Sequence, residues 1–293
     1  MIENAISIAD AIAKISGTEL SIKHRRHVSG GDINEAAIIT LSDDSQMFLK
    51  ENRADLVLMF AAEAKGLMAL GQAGIPPVPQ PLGWGRDGRR SFLLLEVVES
   101  GRLESARDFG LALAHLHRHL RNEKCGFSGD NWIGSTSQIN TPMSSWFEFF
   151  AECRLGYQWR LARMNGYGDK ALTKAMESLQ SRLIHLLPDL DGGMASLLHG
   201  DLWGGNWMAG ADGQAYLIDP AVYYGHREAD LAMTRLFGGF PGGFYQSYIE
   251  AWPIEAGFSE RIPLYNLYHL LNHLNLFGTS YMGRVRDILF RYA

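Results

Sequence analysis

The sequence predicts an α+β protein in which a small β-rich N-terminal lobe precedes a larger, mainly helical C-terminal lobe. Two observations support this fold class. Between residues 24 and 51 the apolar residues recur with a period of two, which is typical of strands, whereas apolar stripes at helical spacing dominate after residue 103. We expect the boundary between the two lobes near residue 98, so that they comprise residues 1–98 and 99–293.

The composition is typical of a globular protein and excludes a disordered or fibrous chain. The 293 residues carry a net charge of −5, and 46% of them are hydrophobic. No strongly basic field is expected, which argues against nucleic acid or an anionic membrane as a partner. The first residues lack a signal-peptide pattern, and no apolar run reaches the ~18–20 residues of a membrane-spanning helix. We therefore expect a cytoplasmic protein.

The elements of the first lobe follow in order along the chain. Residues 1–17 have the apolar spacing of a short amphipathic helix. The segments 36–41 and 46–50 predict two strands joined by a tight turn. A helix is expected over about 53–73, before Gly74 and two prolines end it, and a buried strand is expected at 91–98.

The second lobe is expected to be helical apart from one short β-segment. Apolar stripes with a period of 3.6 residues cover 103–122, 144–164, 168–187, 241–252 and 260–277. Between residues 195 and 222, two short apolar strands flank a polar loop, and we predict that they form a β-hairpin.

The strongest functional signal lies in this β-segment. Asp201 precedes Asn206 by five positions, and Asp219 follows at the end of the next apolar strand. Phosphoryl transfer needs a carboxylate that accepts the proton of the attacking hydroxyl, and oxygen ligands that hold Mg²⁺ against the phosphates. This spacing is the layout of the catalytic and metal-binding loops of kinases. Asp201 is therefore the candidate base, and Asn206 and Asp219 are the candidate magnesium ligands.

A second signal joins the predicted hairpin to the helix that follows it. Lys50 ends a strand, and Glu63 lies thirteen residues later on an otherwise apolar face of the next helix. A carboxylate on such a face is costly to bury unless it is paired, and Lys50 is the obvious partner. A strand lysine paired with a helix glutamate is the arrangement with which kinases bind the α- and β-phosphates of ATP.

Two further segments are candidates for nucleotide binding. Gly30 and Gly31 lie between predicted strands, where glycine lets backbone N–H groups approach a phosphate without interference from a Cβ atom. Glu96, Val97 and Val98 lie where the first lobe leads into the second. We expect this segment to be a hinge whose backbone groups meet the edge of an adenine ring.

Several longer segments carry a more specific pattern than the kinase motifs alone. They are 126–134, 146–159, 199–207, 219–233 and 263–273. In these segments the chain resembles the fructosamine kinase (ketosamine 3-kinase) family, within the aminoglycoside-phosphotransferase and choline-kinase branch of the protein-kinase-like fold. The resemblance covers nearly the whole chain.

The resemblance implies a bilobal protein-kinase-like fold and an ATP-dependent kinase of small molecules. Such an enzyme phosphorylates a sugar hydroxyl of ketosamines, which are amines or lysine side chains that carry a ketose adduct. Phosphorylation at the 3-hydroxyl makes the adduct prone to spontaneous breakdown, so these enzymes are regarded as deglycation repair enzymes. Carried onto this chain, the resemblance implies Asp201 as the base, Asn206 and Asp219 as magnesium ligands, and Lys50 with Glu63 as the phosphate-binding pair.

The acceptor site is expected in the second lobe, near Asn131, Trp203 and Tyr223, because the acceptor hydroxyl must reach Asp201. Two alternatives stay open. The first is a kinase of another hydroxylated small molecule, such as an aminoglycoside or choline. The second is a non-catalytic, ATP-binding pseudokinase. The sequence leaves the oligomeric state open, with a monomer favoured.

Overall fold

The computed structural model describes residues 1–28 and 34–293. Within it the chain forms two compact units. The first unit combines Met1–Ser105 with Trp207–Pro220, and the second combines Ala106–Asn206 with Ala221–Ala293. In the described part of the chain, no helix is both long and apolar enough to cross a membrane.

The strands and helices have the following bounds. The strands are β1 (Ile2–Ala5), β2 (Ile22–Val28), β3 (Glu35–Leu41), β4 (Gln46–Arg53), β5 (Pro81–Asp87), β6 (Arg90–Leu95), β7 (Arg121–Asn122), β8 (Asn131–Ile133), β9 (Thr136–Gln138), β10 (Ala195–Leu198), β11 (Trp207–Ala209), β12 (Ala215–Leu217) and β13 (Tyr223–Gly225). The helices are α1 (Ile8–Ser16), α2 (Val57–Gly71), α3 (Ala106–His119), α4 (Trp146–Phe149), α5 (Tyr157–Met164), α6 (Lys170–Leu186), α7 (Glu228–Leu236), α8 (Phe244–Ala251), α9 (Phe258–Phe277) and α10 (Met282–Tyr292). A π-helical segment, Phe150–Gly156, joins α4 to α5.

The first unit is built on a six-stranded sheet with the strand order β1-β5-β6-β4-β3-β2. Its neighbours are antiparallel except for β1 and β5, which are parallel. Ile39 and Leu41 of β3 are buried with Ile8 and Ile12 of α1, so the apolar side of this helix covers one face of the sheet. The alternating pattern of β3 thus gives a buried face, as a period of two requires.

The same alternation directs Lys50 to the other face of the sheet. Leu49 of β4 belongs to the cluster beneath α1. Because successive side chains of a strand point to opposite faces, Lys50 points away from that cluster. Glu63 of α2 contacts Lys50 there. Lys50 therefore contacts α2 because it follows Leu49 by one position in β4.

The hairpin of β11 and β12 belongs to the first unit although it lies far along the chain. The N–H of Leu217 donates to the carbonyl of Pro77 at 2.9 Å, and the N–H of Gly101 donates to the carbonyl of Ala209 at 2.9 Å. These bonds attach the hairpin to segments on both sides of β5 and β6. The end of β12 leads directly to Asp219.

The second unit is mainly helical around one large apolar core. Helix α6 illustrates how the sequence forms it. The side chain of Asp169 caps the helix by accepting from the N–H of Leu172 at 2.8 Å, and Leu172, Met176 and Leu183 share its buried face. A three-stranded antiparallel sheet with the order β13-β10-β7 lies beside these helices and leads into the segment 199–206.

Three expectations about these elements were wrong or incomplete. Residues 2–5 form a strand rather than part of the first helix, because they pair with β5. The predicted hairpin between 195 and 222 does not form, since β10 pairs with β7 and β13 whereas β12 pairs with β11. Helix α7 was missed because buried Glu228 and Asp230 interrupt its apolar stripe. The boundary between a nucleotide-binding lobe and a catalytic lobe near residue 98 stays a prediction.

Candidate active site

In the first unit, the side chain of Lys50 lies between two carboxylates. Its Nζ donates to Oε1 of Glu63 at 2.5 Å and also bonds to Oδ1 of Asp219. The side chain of Lys50 is buried, that of Glu63 is mostly buried, and that of Asp219 is 47% exposed. Burial alone would lower the pKa of Lys50, but the two nearby carboxylates outweigh burial and raise it well above its usual range. The lysine is therefore a fixed positive charge.

Asp219 presents its carboxylate from an unusual backbone conformation. Its φ is 55°, in the left-handed region that residues other than glycine adopt rarely, although aspartate tolerates it better than most. The bend directs one carboxylate oxygen toward Lys50 and leaves the side chain partly open to solvent. A partly exposed carboxylate oxygen is a ligand of the kind that Mg²⁺ prefers.

In the second unit, Asn206 is bonded to the segment that carries Asp201. The Nδ2 of Asn206 donates to the backbone carbonyl of Asp201 at 2.8 Å and to its Oδ2 at 3.0 Å. The amide nitrogen is used in this way, so the amide oxygen is the atom that a cation would meet. The structure thus brings together the two residues whose five-residue spacing marked them in the sequence.

His269 lies next to the candidate base. Its Nδ1 is 4.0 Å from Oδ1 of Asp201, and burial lowers the pKa of His269 to about 3. The imidazole is therefore neutral at physiological pH. It adds no positive charge that would reduce the ability of Asp201 to accept a proton.

A buried carboxylate that sequence reasoning missed holds this loop. Asp230 of α7 accepts from the N–H of His199 at 2.7 Å and from the N–H of Gly200 at 2.9 Å. It also bonds to Nε2 of His117 at 3.2 Å, and the other ring nitrogen of His117 bonds to the hydroxyl of Tyr248 at 2.9 Å. Burial alone would raise the pKa of Asp230, but these donors and the charge of nearby side chains hold it below its usual value.

The signal that could have revealed Asp230 is the one used for Glu63. Asp230 is a carboxylate inside an apolar run of helix, from Ala229 to Met233, and it needs a partner there. His117 is buried in the core. Its position on α3 gives the carboxylate that partner.

Gly200 is required by the close approach of another backbone segment. Its φ is 82°, and a Cβ atom at this position would lie 1.9 Å from the carbonyl oxygen of Ala221. The N–H of Ala221 donates to the carbonyl of His199 at 2.8 Å. The two segments therefore pack backbone against backbone, which fixes the residue before Asp201.

Asn131, predicted near the acceptor, is a buried member of an amide network. Its Nδ2 donates to the carbonyl of Val222 at 2.8 Å, and its Oδ1 accepts from Gln138 at 2.8 Å and from Asn140 at 2.9 Å. Gln138 also donates to the carbonyl of Ala221 at 2.9 Å. These amides hold residues 221–222, which contact His199 and Gly200. Asn131 therefore helps to position the loop that carries Asp201.

Arg154 completes this network from the π-helical segment. The side chain is fully buried, donates to Oδ1 of Asn140 at 2.8 Å and lies 3.9 Å from the ring centroid of Tyr223. Tyr223 is itself buried, and burial raises its pKa to about 12. Tyr223 therefore packs in the core over a guanidinium. By contrast, Trp203 is 39% exposed.

The remaining predicted nucleotide-binding residues fall into two groups. Gly30 and Gly31 lie outside the described residues. Glu96, Val97 and Val98 follow β6 and line a cavity of about 180 Å³ together with residues of the β11–β12 hairpin. The N–H of Glu96 donates to the carbonyl of Gln80 at 2.9 Å, which fixes the start of the segment.

The side chains of Asn206 and Asp219 carry oxygen donors of the kind that magnesium prefers. Within residues 1–28 and 34–293, no group of three or more His, Cys, Asp and Glu side chains could hold a metal ion. The candidates Asn206 and Asp219 offer an amide oxygen and a carboxylate. Mg²⁺ is commonly held by one or two such oxygens together with phosphates and water, rather than by a complete protein cage.

Comparisons with known proteins assign nearly the full chain to one family. The fructosamine kinase family model matches residues 4–292. The chain is 42% identical over 287 residues to a probable ketoamine kinase of Synechocystis sp., covering 97% of this chain and 95% of the relative. It is 39% identical over 268 residues to the chloroplastic protein-ribulosamine 3-kinase of Arabidopsis thaliana, covering 90% and 81%.

Solved structures agree with this result. A crystal structure of a putative fructosamine-3-kinase from Haemophilus somnus has a TM-score of 0.87 at 32% identity and covers 98% of this chain and 96% of its own. An ADP-bound aminoglycoside phosphotransferase has a TM-score of 0.62 at 13% identity and covers 96% and 97%. At that identity the likeness is one of fold. The predicted α+β, protein-kinase-like fold is thereby confirmed.

Proposed function

Because the chain belongs to the fructosamine kinase family, whose members transfer phosphate from ATP to a hydroxyl group, we propose that its acceptor is a ketosamine. The enzyme would phosphorylate a sugar hydroxyl of a fructosamine or ribulosamine adduct. The relatives from Synechocystis and Arabidopsis, named as ketoamine and ribulosamine kinases, support this class of acceptor. Loss of the phosphorylated adduct would make the reaction a deglycation repair step.

In this proposal residues 1–98 bind most of the nucleotide. Lys50 is buried, charged and held by Glu63 and Asp219, so its ammonium is fixed in place without a ligand. A preorganised charge interacts with phosphate oxygens without the cost of rearranging its surroundings. Val97 and Val98, which line the cavity after β6, would meet the adenine.

Residues 99–293 supply the catalytic base and the acceptor site. Asp201 accepts the proton of the acceptor hydroxyl as the oxygen of that hydroxyl bonds to the γ-phosphorus. The bond between the γ-phosphorus and its bridging oxygen breaks, and ADP leaves. The hydrogen bond from Asn206 to Oδ2 orients the carboxylate for this step, and Asp230 fixes the backbone that carries it.

Asn206 and Asp219 are the proposed magnesium ligands. A magnesium ion there would neutralise charge on the phosphates. The amide nitrogen of Asn206 is bonded to Asp201, so its amide oxygen would be the atom that binds the ion. Asp219 shares its carboxylate between Lys50 and solvent.

The observation that carries the proposal is the hydrogen-bonded pair of Asp201 and Asn206 on a loop anchored by Asp230. Together with Lys50 and Glu63, it supports an active phosphotransferase rather than a pseudokinase. Each of these side chains is hydrogen-bonded to another candidate residue, Lys50 to Glu63 and Asp219, and Asn206 to Asp201.

The experiment that tests the proposal measures phosphate transfer from ATP with Mg²⁺ to fructosyl-, ribulosyl- and erythrulosyl-lysine. We expect at least one of them to be a substrate and an aminoglycoside and choline to be poor ones. The variant Asp201→Asn, nearly equal in shape, should keep ADP affinity and lose about 10²–10⁴-fold in kcat. Its control is Asp169→Asn, at an exposed helix cap, which should leave kcat unchanged.

Two results would contradict the proposal. Faster turnover with an aminoglycoside or choline than with every ketosamine would assign the enzyme to another acceptor class. A normal kcat in Asp201→Asn would show that Asp201 is not the catalytic base. The deglycation role is tested separately, by following the release of free lysine from the phosphorylated product. The cytoplasmic location stays a prediction, since the Arabidopsis relative is named chloroplastic.

A further inference from the structure

A strip of aromatic side chains, three of them exposed and two half-buried, lies on the second unit beside the catalytic loop. The aromatic strip comprises Trp203, Phe237, His273, Phe277 and Tyr281. Trp203, Phe237 and Phe277 are 39%, 41% and 53% exposed. Successive ring centroids are separated by 6.2 Å from Trp203 to Phe237, 5.0 Å from Phe237 to His273 and 5.4 Å from His273 to Phe277. Contiguous exposed apolar surface of this kind marks a binding site more often than scattered residues do.

The strip begins at the catalytic base. The N–H of Trp203 donates to the carbonyl of Asp201 at 3.2 Å, so the indole follows the base by one tight turn. A Cβ atom on Gly205 would lie 2.3 Å from the indole, and one on Gly204 would lie 2.8 Å from the carbonyl oxygen of Gly238. Two glycines thus let the loop pack closely against the indole and against the segment after Phe237.

We propose that the outer part of the aromatic strip, Phe237, Phe277 and Tyr281, binds the amine-derived part of the acceptor. The inference rests on the proposed function, because it requires the sugar of a ketosamine to lie at Asp201. A ketosamine joins a polar sugar to a hydrocarbon chain through its amine. With the sugar hydroxyl at Asp201, the chain continues outward and packs on the aromatic faces. The strip therefore selects acceptors with a long alkyl chain on the amine, such as the lysine side chain.

The geometry of the strip supports binding of the alkyl chain of the acceptor rather than of its sugar. From the base, the ring contacts run from Trp203 to Phe237, then to His273 and then to Phe277, so a hydroxyl at Asp201 and a contact at Phe277 require a long molecule. The ring of Tyr281 lies 5.1 Å from His273 and 6.4 Å from Phe277, which broadens the end of the strip. Hydrocarbon chains gain free energy from such contacts in proportion to the apolar area they bury.

The test compares two acceptors that differ only in the alkyl chain, 1-deoxy-1-(methylamino)fructose and 1-deoxy-1-(hexylamino)fructose. Burial gives about a fourfold gain in affinity per methylene. If two or three of the five additional methylenes pack on the strip, the KM of the hexyl compound should be ~15–60-fold lower. The kcat values should be similar, because the sugar and the base are the same.

The double variant Phe237→Ala with Phe277→Ala should abolish this preference, so that the KM of the hexyl compound rises to that of the methyl compound. Phe237→Leu with Phe277→Leu should keep most of it, because leucine retains apolar area. Phe290→Ala is the matched control: Phe290 is exposed to a similar extent, packs under Arg286 and lies outside the strip, so its removal should change neither KM.

Each contrary outcome has a distinct meaning. Equal KM values for the two acceptors in the wild-type enzyme overturn the strip as a subsite and leave the proposed function intact. Phosphorylation of neither compound, nor of any ketosyl-lysine, overturns both. A change from dimer to monomer in the double alanine variant, measured by sedimentation at unchanged KM values, would show that a second copy of the chain covers the strip, and the proposal would be wrong.

Discussion

Replacing Asp230 with asparagine should destabilise the protein and slow catalysis together. Asp230 is buried, and its Oδ2 accepts from the N–H of His199 and bonds to His117, whereas its Oδ1 accepts from the N–H of Gly200. Asparagine has nearly the same shape but places an amide nitrogen at one of these two positions. At least one buried backbone N–H then faces another donor.

The magnitude follows from these bonds. A buried donor left without a partner costs about 1–3 kcal/mol, and hydrogen bonds to a neutral acceptor are weaker by about 1 kcal/mol each than bonds to a carboxylate. For Asp230→Asn we therefore expect a loss of about 2–5 kcal/mol in the free energy of unfolding. Because the two N–H groups precede Asp201 directly, we also expect kcat to fall by about 10–100-fold through displacement of the base.

The assay is urea unfolding followed by tryptophan fluorescence, with kcat measured on the folded enzyme. Asp169→Asn is the matched control, because it makes the same change at an exposed carboxylate that also accepts from a backbone N–H. Asparagine caps helices about as well as aspartate, so the control should lie within about 0.5 kcal/mol of the wild type. A comparable result for Asp230→Asn would refute the anchoring role.

The effect of pH provides a second check. The pKa of Asp230 is lower in the folded protein than in the unfolded chain, so its contribution is present above the unfolded pKa of about 3.9 and is lost as pH falls through the folded value. The difference in stability between wild type and Asp230→Asn should be constant near neutral pH and shrink below about pH 4. A difference that grows on acidification would contradict the assignment.

Three other changes test neighbouring parts of the molecule. Asn131→Asp removes the donor to the carbonyl of Val222 and should lower kcat more than it raises the KM for ATP. The control is Gln158→Glu, because Gln158 is also a buried amide and is bonded to Asn272. This variant should change stability without a specific loss of kcat. Asp219→Ala should abolish the magnesium dependence of ATP affinity measured by calorimetry, and unchanged dependence would exclude it as a ligand. Mild diamide treatment should leave activity unchanged, because Cys125 and Cys153 are buried and burial raises the pKa of Cys125 to about 12; reversible inactivation restored by dithiothreitol would contradict this.

The parts of the fold predicted correctly are those whose local signals agree with their packing. The β3–β4 hairpin and α6 have clear periods of two and 3.6 residues, because each buries a single face. The failures share a physical cause. The strand β1 is four residues long and is specified by its partner β5, and α7 buries charged residues whose partners lie far away in the chain.

The candidate site shows the same limit. Glu63 is a carboxylate on an apolar helix face next to the strand of Lys50, so the sequence predicts their pairing, and the structure shows it. Asp201 and Asn206 were selected by their five-residue spacing, and the structure joins them by a hydrogen bond that the sequence did not predict. The roles of Asn131 and Tyr223 could not be inferred in this way. Both carry polar groups that resemble ligand contacts in a sequence, and the structure places both in the core, where neighbouring side chains and carbonyls surround them.

The return of residues 207–220 to the first unit affects how the protein is made on the ribosome. The sheet of the first unit is complete in sequence by residue 95, but the hairpin that bonds to Pro77 and Gly101 is synthesised only after the 101 residues of 106–206. At about 5–20 residues per second, that interval lasts roughly 5–20 seconds. During this time the nascent first unit exposes the surface that the hairpin will cover. A chaperone that binds this surface during synthesis should therefore release it once residue 220 has left the exit tunnel.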